Sequence, residues 1–272
     1  MGNTRLLAAA AATVLLSIPA AHAADLPPLP PSYAPAPQMS GWYLRGFVGM
    51  TNQQVDKVGF TPNPFPNDVI DTQFATFDSS PLFGMGVGYQ WNNWLRFDVT
   101  GEYRANSHFR SIQVDRSVGP PQFADEYNAS KSEILFLANA FIDFGTWWCV
   151  TPFIGAGIGG SFNRISSFTD IGNSVGLGIS STTFADDHSK WSFAWAVYAG
   201  LAYQVTPNFN VELAYRYVNL GSAQTGPGHA FDGFPLPSNP FVFDTLTSHD
   251  LMLGVRWMFD APPPPPPLIR KG

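Results

Sequence analysis

The sequence lacks both long hydrophobic runs and the usual amount of charge. Charged residues make up 12% of the 272 residues, which is about half of the roughly 25% typical of globular domains. After the N-terminal segment, no run approaches the roughly 18 apolar residues of a transmembrane helix. Aromatic residues make up 15% of the chain, whereas disordered chains have few aromatic residues and more charge. A helical membrane protein and a disordered protein are therefore both disfavoured.

Cysteine is almost absent, because Cys149 is the only one in the sequence. A single cysteine excludes an intrachain disulfide. It lies in the segment TWWCVTP between two predicted strands. An inert thiol in an apolar setting is favoured there over a reactive one.

Motifs for catalysis and metal binding are also missing from the sequence. There is no nucleophile elbow and no serine–histidine signature of a hydrolase. Residues 155–160 (GAGIGG) fit G-x-G-x-x-G, but small residues facing a narrow lumen explain them better than a dinucleotide site. Asp186, Asp187 and His188 have no further ligand at metal spacing. We therefore expect no catalytic residues, no metal and no cofactor, and an outer-membrane hydrolase or acyltransferase is the least favoured alternative.

Both ends of the chain have recognisable signals. Arg5, the apolar residues 6–18 and the A-x-A site at residues 21–23 predict a cleaved secretory signal peptide over residues 1–23. The proline-rich residues 24–40 predict an extended periplasmic segment. Residues 260–272 (DAPPPPPPLIRKG) predict a stiff tail with a basic end. The domain that remains covers residues 41–259.

Within this domain, apolar residues alternate with polar or small ones, which indicates β-strands. In residues 247–259, for example, Leu251 and Leu253 alternate with residues of a second face that carries Asp250 and Arg256. The pattern predicts eight strands, at residues 41–51, 81–91, 95–107, 133–144, 153–163, 190–205, 209–218 and 247–259.

The connections between these strands alternate strictly in length. Three are short turns, and four are long polar stretches at residues 52–80, 108–131, 164–189 and 219–246. An even number of strands, with short turns on one side and long loops on the other, is typical of an outer-membrane barrel. The sequence therefore predicts an all-β fold, a transmembrane eight-stranded antiparallel up-and-down β-barrel with both ends in the periplasm.

Charge supports this prediction, because the apolar faces of the eight strand cores carry none. A basic residue facing the middle of the bilayer costs about 2–4 kcal/mol. The charges on the opposite faces are balanced, and an eight-stranded barrel is narrow enough for side chains to fill. We therefore expect a paired, plugged lumen made of Arg45, Arg96, Asp98, Glu102, Arg104, Asp143, Glu212, Arg216, Asp250 and Arg256.

Aromatic residues gather at the strand ends next to the short turns and the chain ends. Tryptophan and related side chains prefer the membrane–water interface. The sequence therefore predicts a periplasmic aromatic belt, with Trp191 and Tyr217 as candidates for the outer rim. The belt comprises Trp42, Trp91, Trp94, Trp147, Trp148, Phe209, Trp257 and Phe259.

The chain resembles the porin-like surface-antigen family of small alphaproteobacterial outer-membrane β-barrels. The resemblance rests on the signal peptide and on the strands GWYLRGFVG, TPFIGAGIGGSF and LMLGVRWMF. The resemblance covers about residues 41–259. It implies an eight-stranded barrel in the cell outer membrane and a role in envelope integrity, with haem or host-factor binding by the loops of some relatives. Such barrels usually end on the terminal aromatic residue, whereas Phe259 is followed by 13 residues here.

Three functions stay open at this point: a structural barrel, a narrow porin-like channel, and a loop-mediated binding protein or adhesin. The structural role is favoured because the lumen charges balance. Expected partners are outer-membrane lipid and the assembly machinery that reads the closing strand. The tail is a candidate for cell-wall contact through Arg270 and Lys271. Nucleic acid is not expected, because the long stretches carry little net basic charge.

Overall fold

The computed structural model describes residues 40–62, 70–116, 123–174, 178, 180–232 and 239–259. The predicted signal peptide, proline-rich segment and tail therefore lie outside the described residues, apart from Ser40. The strands of the described part are β1 (Gly41–Phe60), β2 (Ile70–Phe77), β3 (Ser80–Gln90), β4 (Leu95–Asp115), β5 (Phe123–Asp143), β6 (Val150–Ser174), β7 (Ser180–Ala185), β8 (His188–Thr206), β9 (Phe209–Gln224), β10 (Gly228–Ala230) and β11 (Phe241–Met258). In these ranges, no helix has the length and apolar character needed to cross a membrane.

Eight long strands form a closed antiparallel ring. Each pairs with its neighbour in the order β1, β3, β4, β5, β6, β8, β9 and β11, and β11 pairs with β1 to close the ring. Phe47 lies opposite Gly254 across this closing pair. The eight-stranded antiparallel barrel predicted from the alternation is confirmed.

Short turns join the strands at one end. Between β3 and β4, Asn92 Oδ1 accepts hydrogen bonds from the backbone N–H groups of Trp94 and Leu95 at 2.9 and 2.8 Å. The other two turns cover residues 144–149 and 207–208. Cys149 lies in the first of these turns and is exposed at the protein surface, and the inertness of its thiol stays a prediction.

At the other end, the strands continue well beyond the predicted ends. β4 and β5 pair as far as Asp115 and Phe123, so much of the predicted loop over residues 108–131 is strand. The same correction applies to residues 219–224 and 241–246, which belong to β9 and β11. These extensions mix polar residues with buried rings such as Phe109, Tyr127 and Phe243. Their polar residues, glycines and prolines suggested loops, whereas backbone pairing continues the strands through them.

Three short strands broaden this extended end. β2 pairs with β4, β7 pairs with β6, and β10 pairs with β7. Bulges mark several of the transitions, as between Arg104 and Ser107 in the pairing of β4 with β5. Gly221, next to another irregularity, has φ of 71°, and a Cβ there would lie 2.5 Å from the Cβ of Ser192. A conformation of this kind favours glycine.

The two faces of the ring differ sharply. The outer face exposes large apolar side chains in the half near the short turns, such as Leu44, Met85, Val99, Ile158 and Leu253. The inner face is buried and packed. Its glycines make room for large neighbours, because a Cβ on Gly88 would overlap the Tyr43 ring, and one on Gly155 would overlap the Phe141 ring. This packing accounts for Gly155 and Gly157 of the G-x-G-x-x-G segment, whereas Gly160 lies on the outer face beside Trp191.

Candidate functional site

The filled lumen is the candidate site. All ten charged residues singled out in the sequence are buried in the barrel interior, none more than 6% exposed. They form two clusters. We call the one nearer the short turns the periplasmic cluster, since short turns face the periplasm in this class of barrel. It consists of Arg45, Arg96, Asp98, Asp143, Glu212 and Arg256.

Glu212 lies at the centre of the periplasmic cluster. Its carboxylate oxygens lie 3.3 Å from Arg45 Nε, 3.4 Å from Arg96 Nη1 and 3.0 Å from Arg256 Nε. Arg45 also pairs with Asp98, and Arg96 with Asp143, each at 3.2 Å. One carboxylate from β9 thus joins three arginines from β1, β4 and β11.

Neutral side chains add hydrogen bonds to this cluster. Arg256 Nη1 donates to Gln90 Oε1 at 2.6 Å. Asp98 accepts from the Tyr43 hydroxyl at 3.1 Å and from Asn139 Nδ2 at 2.8 Å. Tyr198 donates to Asn139 Oδ1 at 3.0 Å. The ion pairs offset the burial of these charges, while Arg96 Nη2 is buried without a hydrogen-bond partner among the described residues.

We call the second group the outer cluster, since it lies further along the strands from the short turns. It consists of Glu102, Arg104, Lys131, Glu133, Arg216 and Asp250. Arg216 contacts Glu102 and Asp250, with its Nη2 2.7 Å from an oxygen of each. Arg104 Nη1 lies 2.7 Å from Asp250 and 3.1 Å from Glu102.

Two members of the outer cluster are additions to the predicted set. Lys131 and Glu133 are 0% and 2% exposed. Glu133 contacts both Lys131 and Arg104, and Lys131 Nζ donates to Gln53 Oε1 at 3.0 Å. Both residues share the inner face of β5 with Leu135 and Asn139. Glu133 is the first residue of the predicted strand 133–144, and extending that strand by two residues would have included Lys131. The twelve charges remain balanced, with six of each sign.

Aromatic rings fill the space beside the arginines. The Arg96 guanidinium lies 4.3 Å from the Phe141 ring centroid and 4.7 Å from that of Phe153. The Arg216 guanidinium lies 5.8 Å from the Tyr198 ring. A cation over a ring face is stabilised by the ring quadrupole, so these rings support the charges as well as filling volume.

Beyond the outer cluster, rings close the lumen in what we call the aromatic plug. Phe109 and Phe243 have centroids 4.9 Å apart, and Tyr127 and Phe241 have centroids 4.7 Å apart. All members are 7% exposed or less. The sequence did not predict this layer. Its members are Phe77, Phe109, Tyr127, Phe168, Phe241 and Phe243.

The eight residues of the predicted aromatic belt lie at the end with the short turns. Trp148 is 97% exposed, and Trp91 and Trp147 are 63% and 59% exposed. The remaining members are Trp42, Trp94, Phe209, Trp257 and Phe259. The rings of Phe209 and Trp257 pack edge to face, with centroids 5.9 Å apart. Their contact with the membrane interface stays a prediction.

The outer-rim candidates lie further along the barrel wall. Trp191 is 59% exposed and lies against Phe162 at 5.1 Å between centroids. Tyr217 packs against Trp195 and His249, with centroids 5.6 and 5.2 Å apart. Within each of these two groups, the rings come from neighbouring strands.

The His/Asp segment 186–188 forms only surface contacts. Asp186 lies 3.2 Å from His229, and Asp187 lies 3.0 Å from Arg164, with all four side chains at least half exposed. Across the described ranges, no three His, Cys, Asp or Glu residues are placed to hold a metal ion.

Comparisons with known proteins agree with this architecture. The outer membrane protein beta-barrel domain family matches residues 8–259. An uncharacterised protein of Brucella suis biovar 1 (strain 1330) is 30% identical over 278 residues, which cover 90% of this chain and 95% of that protein. Outer membrane protein PagN of Salmonella typhimurium (strain LT2) is 27% identical over 235 residues, 83% of this chain and 93% of that protein. The solved structure of Neisserial surface protein A is similar with a TM-score of 0.43 and 20% identity, over 81% of this chain and 99% of that one. The chain belongs to the outer membrane β-barrel family and is a protein of the cell outer membrane.

Proposed function

We propose that this protein is a structural component of the outer membrane that supports envelope integrity, with a lumen that does not conduct. The observation that carries the proposal is the filling of the lumen in three successive layers. The periplasmic cluster, the outer cluster and the aromatic plug consist of side chains that are 7% exposed or less. An eight-stranded barrel has an interior that such side chains occupy completely.

The charge pairing argues against a narrow channel, the second candidate function. A conducting pore needs charges that face water and exchange partners with passing ions. Here each of the six basic residues contacts a carboxylate within 4 Å. Separating such a pair leaves an uncompensated buried charge at a cost of about 3–5 kcal/mol. Passage of an ion would require that cost at each cluster.

The outer surface supports the proposed partners. Its apolar band includes Leu44, Val48 and Met50, each at least 50% exposed, and suits outer-membrane lipid. The closing strand β11 and the following Phe259 are the segment that the assembly machinery would recognise. Contact of the tail with the cell wall concerns residues 260–272, outside the described residues. No feature of the described surface calls for an enzyme.

Deleting the gene and restoring it tests the envelope role. We expect the deletion strain to become sensitive to sodium dodecyl sulfate and bile salts, and the full chain to restore resistance. A variant that lacks residues 262–272 distinguishes the contribution of the barrel from that of the tail. If this variant restores resistance only in part, the tail has a role of its own in cell-wall contact. Unchanged sensitivity in the deletion strain, together with slower uptake of a small solute, would replace the structural role with transport.

A further inference from the structure

A cavity of about 860 Å³ lies at the extended end of the barrel. It borders the aromatic plug, because Phe60 and Tyr127 line it, and these two rings lie 6.4 Å apart between centroids. Since the plug and both ionic clusters separate this cavity from the periplasmic end, it is a closed cup and not the mouth of a pore. A cup of this size and mixed lining suits a small molecule.

Two carboxylates stand on one wall of the cup. Asp125 on β5 and Asp170 on β6 both line it, and Asp170 lies directly opposite Tyr127 in the pairing of these strands. The Oδ1 atom of Asp170 is buried and has no hydrogen-bond partner. In the described part of the chain, no Lys or Arg nitrogen lies within 4.0 Å of either carboxylate.

The other charged groups of the cup come from different strands. Lys57 on β1 lies opposite Asp244 on β11 in the closing pair. Lys190 on β8 donates to Ser222 Oγ at 3.0 Å. Neither lysine forms an ion pair with Asp125 or Asp170 within the described ranges, so both carboxylates lack a paired cation although the two lysines line the same cup.

This wall is electrostatically unfavourable when empty. Burial, with a contribution from Asp125, raises the pKa of Asp170 to about 7. Burial, with a contribution from Asp115, also raises the pKa of Asp125. A cation placed between the two carboxylates would relieve both effects. A metal ion is a poor candidate, because the described residues offer no group of three acidic, histidine or cysteine ligands.

We propose that the cup binds a small organic ligand with a primary ammonium group and an apolar body. The ammonium lies between Asp125 and Asp170, and the apolar body lies against Phe60 and Tyr127. An ammonium group has three donors and no acceptor, which suits a site of unpartnered carboxylate oxygen. The face of an aromatic ring also attracts a cation. This site goes beyond the structural role proposed above and does not depend on it.

Calorimetric titration of the full chain in detergent micelles tests the proposal, with phenethylamine as the probe and phenethyl alcohol as its neutral match. Protein-free micelles give the partitioning background. We expect the amine to bind at least about tenfold more tightly than the alcohol. The double variant D125N/D170N should lose about tenfold in affinity, while E126Q should bind as the wild type does. Glu126 is the neighbour of Asp125 on β5 and points to the exposed face.

The pH dependence gives a second readout. A protonated Asp170 is neutral, so affinity for the amine should fall from about pH 8 to about pH 5, and D125N/D170N should lose this dependence. Equal binding of amine and alcohol, absence of amine binding, or unchanged affinity in D125N/D170N would each overturn the proposal. The proposal would also fail if the wild type bound calcium ions but not the amine, and D125N/D170N lost the calcium binding.

Discussion

Arg216 and Glu102 meet through two parallel hydrogen bonds, although 114 residues separate them in the chain. Arg216 Nη1 donates to Glu102 Oε2 at 2.8 Å, and Nη2 donates to Oε1 at 2.7 Å. β9 and β4 lie on opposite sides of the ring, so this pair connects two walls directly across the lumen. Paired geometry of this kind is the strongest form of the arginine–carboxylate contact.

Replacing Arg216 by alanine should therefore destabilise the barrel by about 3–5 kcal/mol, because Glu102 and Asp250 would lose a buried partner. Urea unfolding of the chain in detergent micelles measures this change. The matched control is R116A, since Arg116 pairs with Asp71 at 3.0 Å but both side chains are nearly half exposed. The control should cost about 1 kcal/mol or less, and similar costs for the two variants would contradict the account.

The inner position of residues such as Arg45 and Asp250 follows from the sequence, because the alternation of faces along a strand is a local property. The partners of each residue do not follow, because Glu212 meets Arg45, Arg96 and Arg256 only after the ring has closed. Lys131 was missed for a related reason. Its polar neighbours over residues 108–131 were interpreted as a loop, whereas backbone pairing continues through them.

The aromatic plug could not be predicted from the local pattern. Phe241 and Phe243 belong to a stretch whose glycines and prolines suggested a loop. They reach the lumen because β11 begins at Phe241 and pairs with both β1 and β9. The extended end of the barrel therefore depends on pairing between strands that are distant in the sequence, and local composition does not predict such pairing.

A side chain at Gly88 should destabilise the lumen. The Cβ of G88A would overlap the Tyr43 ring and lie 2.5 Å from the carbonyl oxygen of Phe97, and overpacking of this kind costs about 1–3 kcal/mol. The control is G59A, because nothing lies within 4 Å of a Cβ at that position. The thermal stabilities of the two variants can be compared by heating each sample and measuring on a gel how much of the faster-moving folded band remains. A G88A barrel as stable as G59A would show that the lumen has unfilled space.

A charge on the outer apolar band should be costly only within the membrane. Leu253 is 54% exposed on the face of β11 that we assign to lipid, so L253R should cost about 2–4 kcal/mol in a bilayer. Phe74 on β2 is 46% exposed in the extended end, and F74R should be tolerated. Folding equilibria in lipid vesicles measure both variants. If F74R were as costly as L253R, the assignment of the apolar band would fail.

The extended end should lose stability as the pH rises from about 4 to about 7. An unfolded Asp170 releases its proton near pH 3.9, whereas burial and Asp125 raise its pKa to about 7 in the folded chain. The folded form therefore holds a proton that the unfolded form has lost, which lowers stability across this window. Hydrogen exchange of the β5 and β6 amides near Asp170 follows the change. D170N should flatten the dependence of local stability on pH. D187N, the control at an exposed site, should leave it unchanged, and identical pH dependence in the two variants would refute the prediction.

Single-channel recording in planar bilayers tests the filled lumen most directly. The lumen contains two ionic clusters and the aromatic plug in series, so the purified full chain should insert without a stable unit conductance in concentrated potassium chloride. Replacing Phe77, Phe109 and Phe243 by alanine should leave it closed, because the clusters around Glu212 and Arg216 remain. A stable unit conductance of the wild type that is abolished by altering Arg45 or Arg256 would contradict the account and identify a channel.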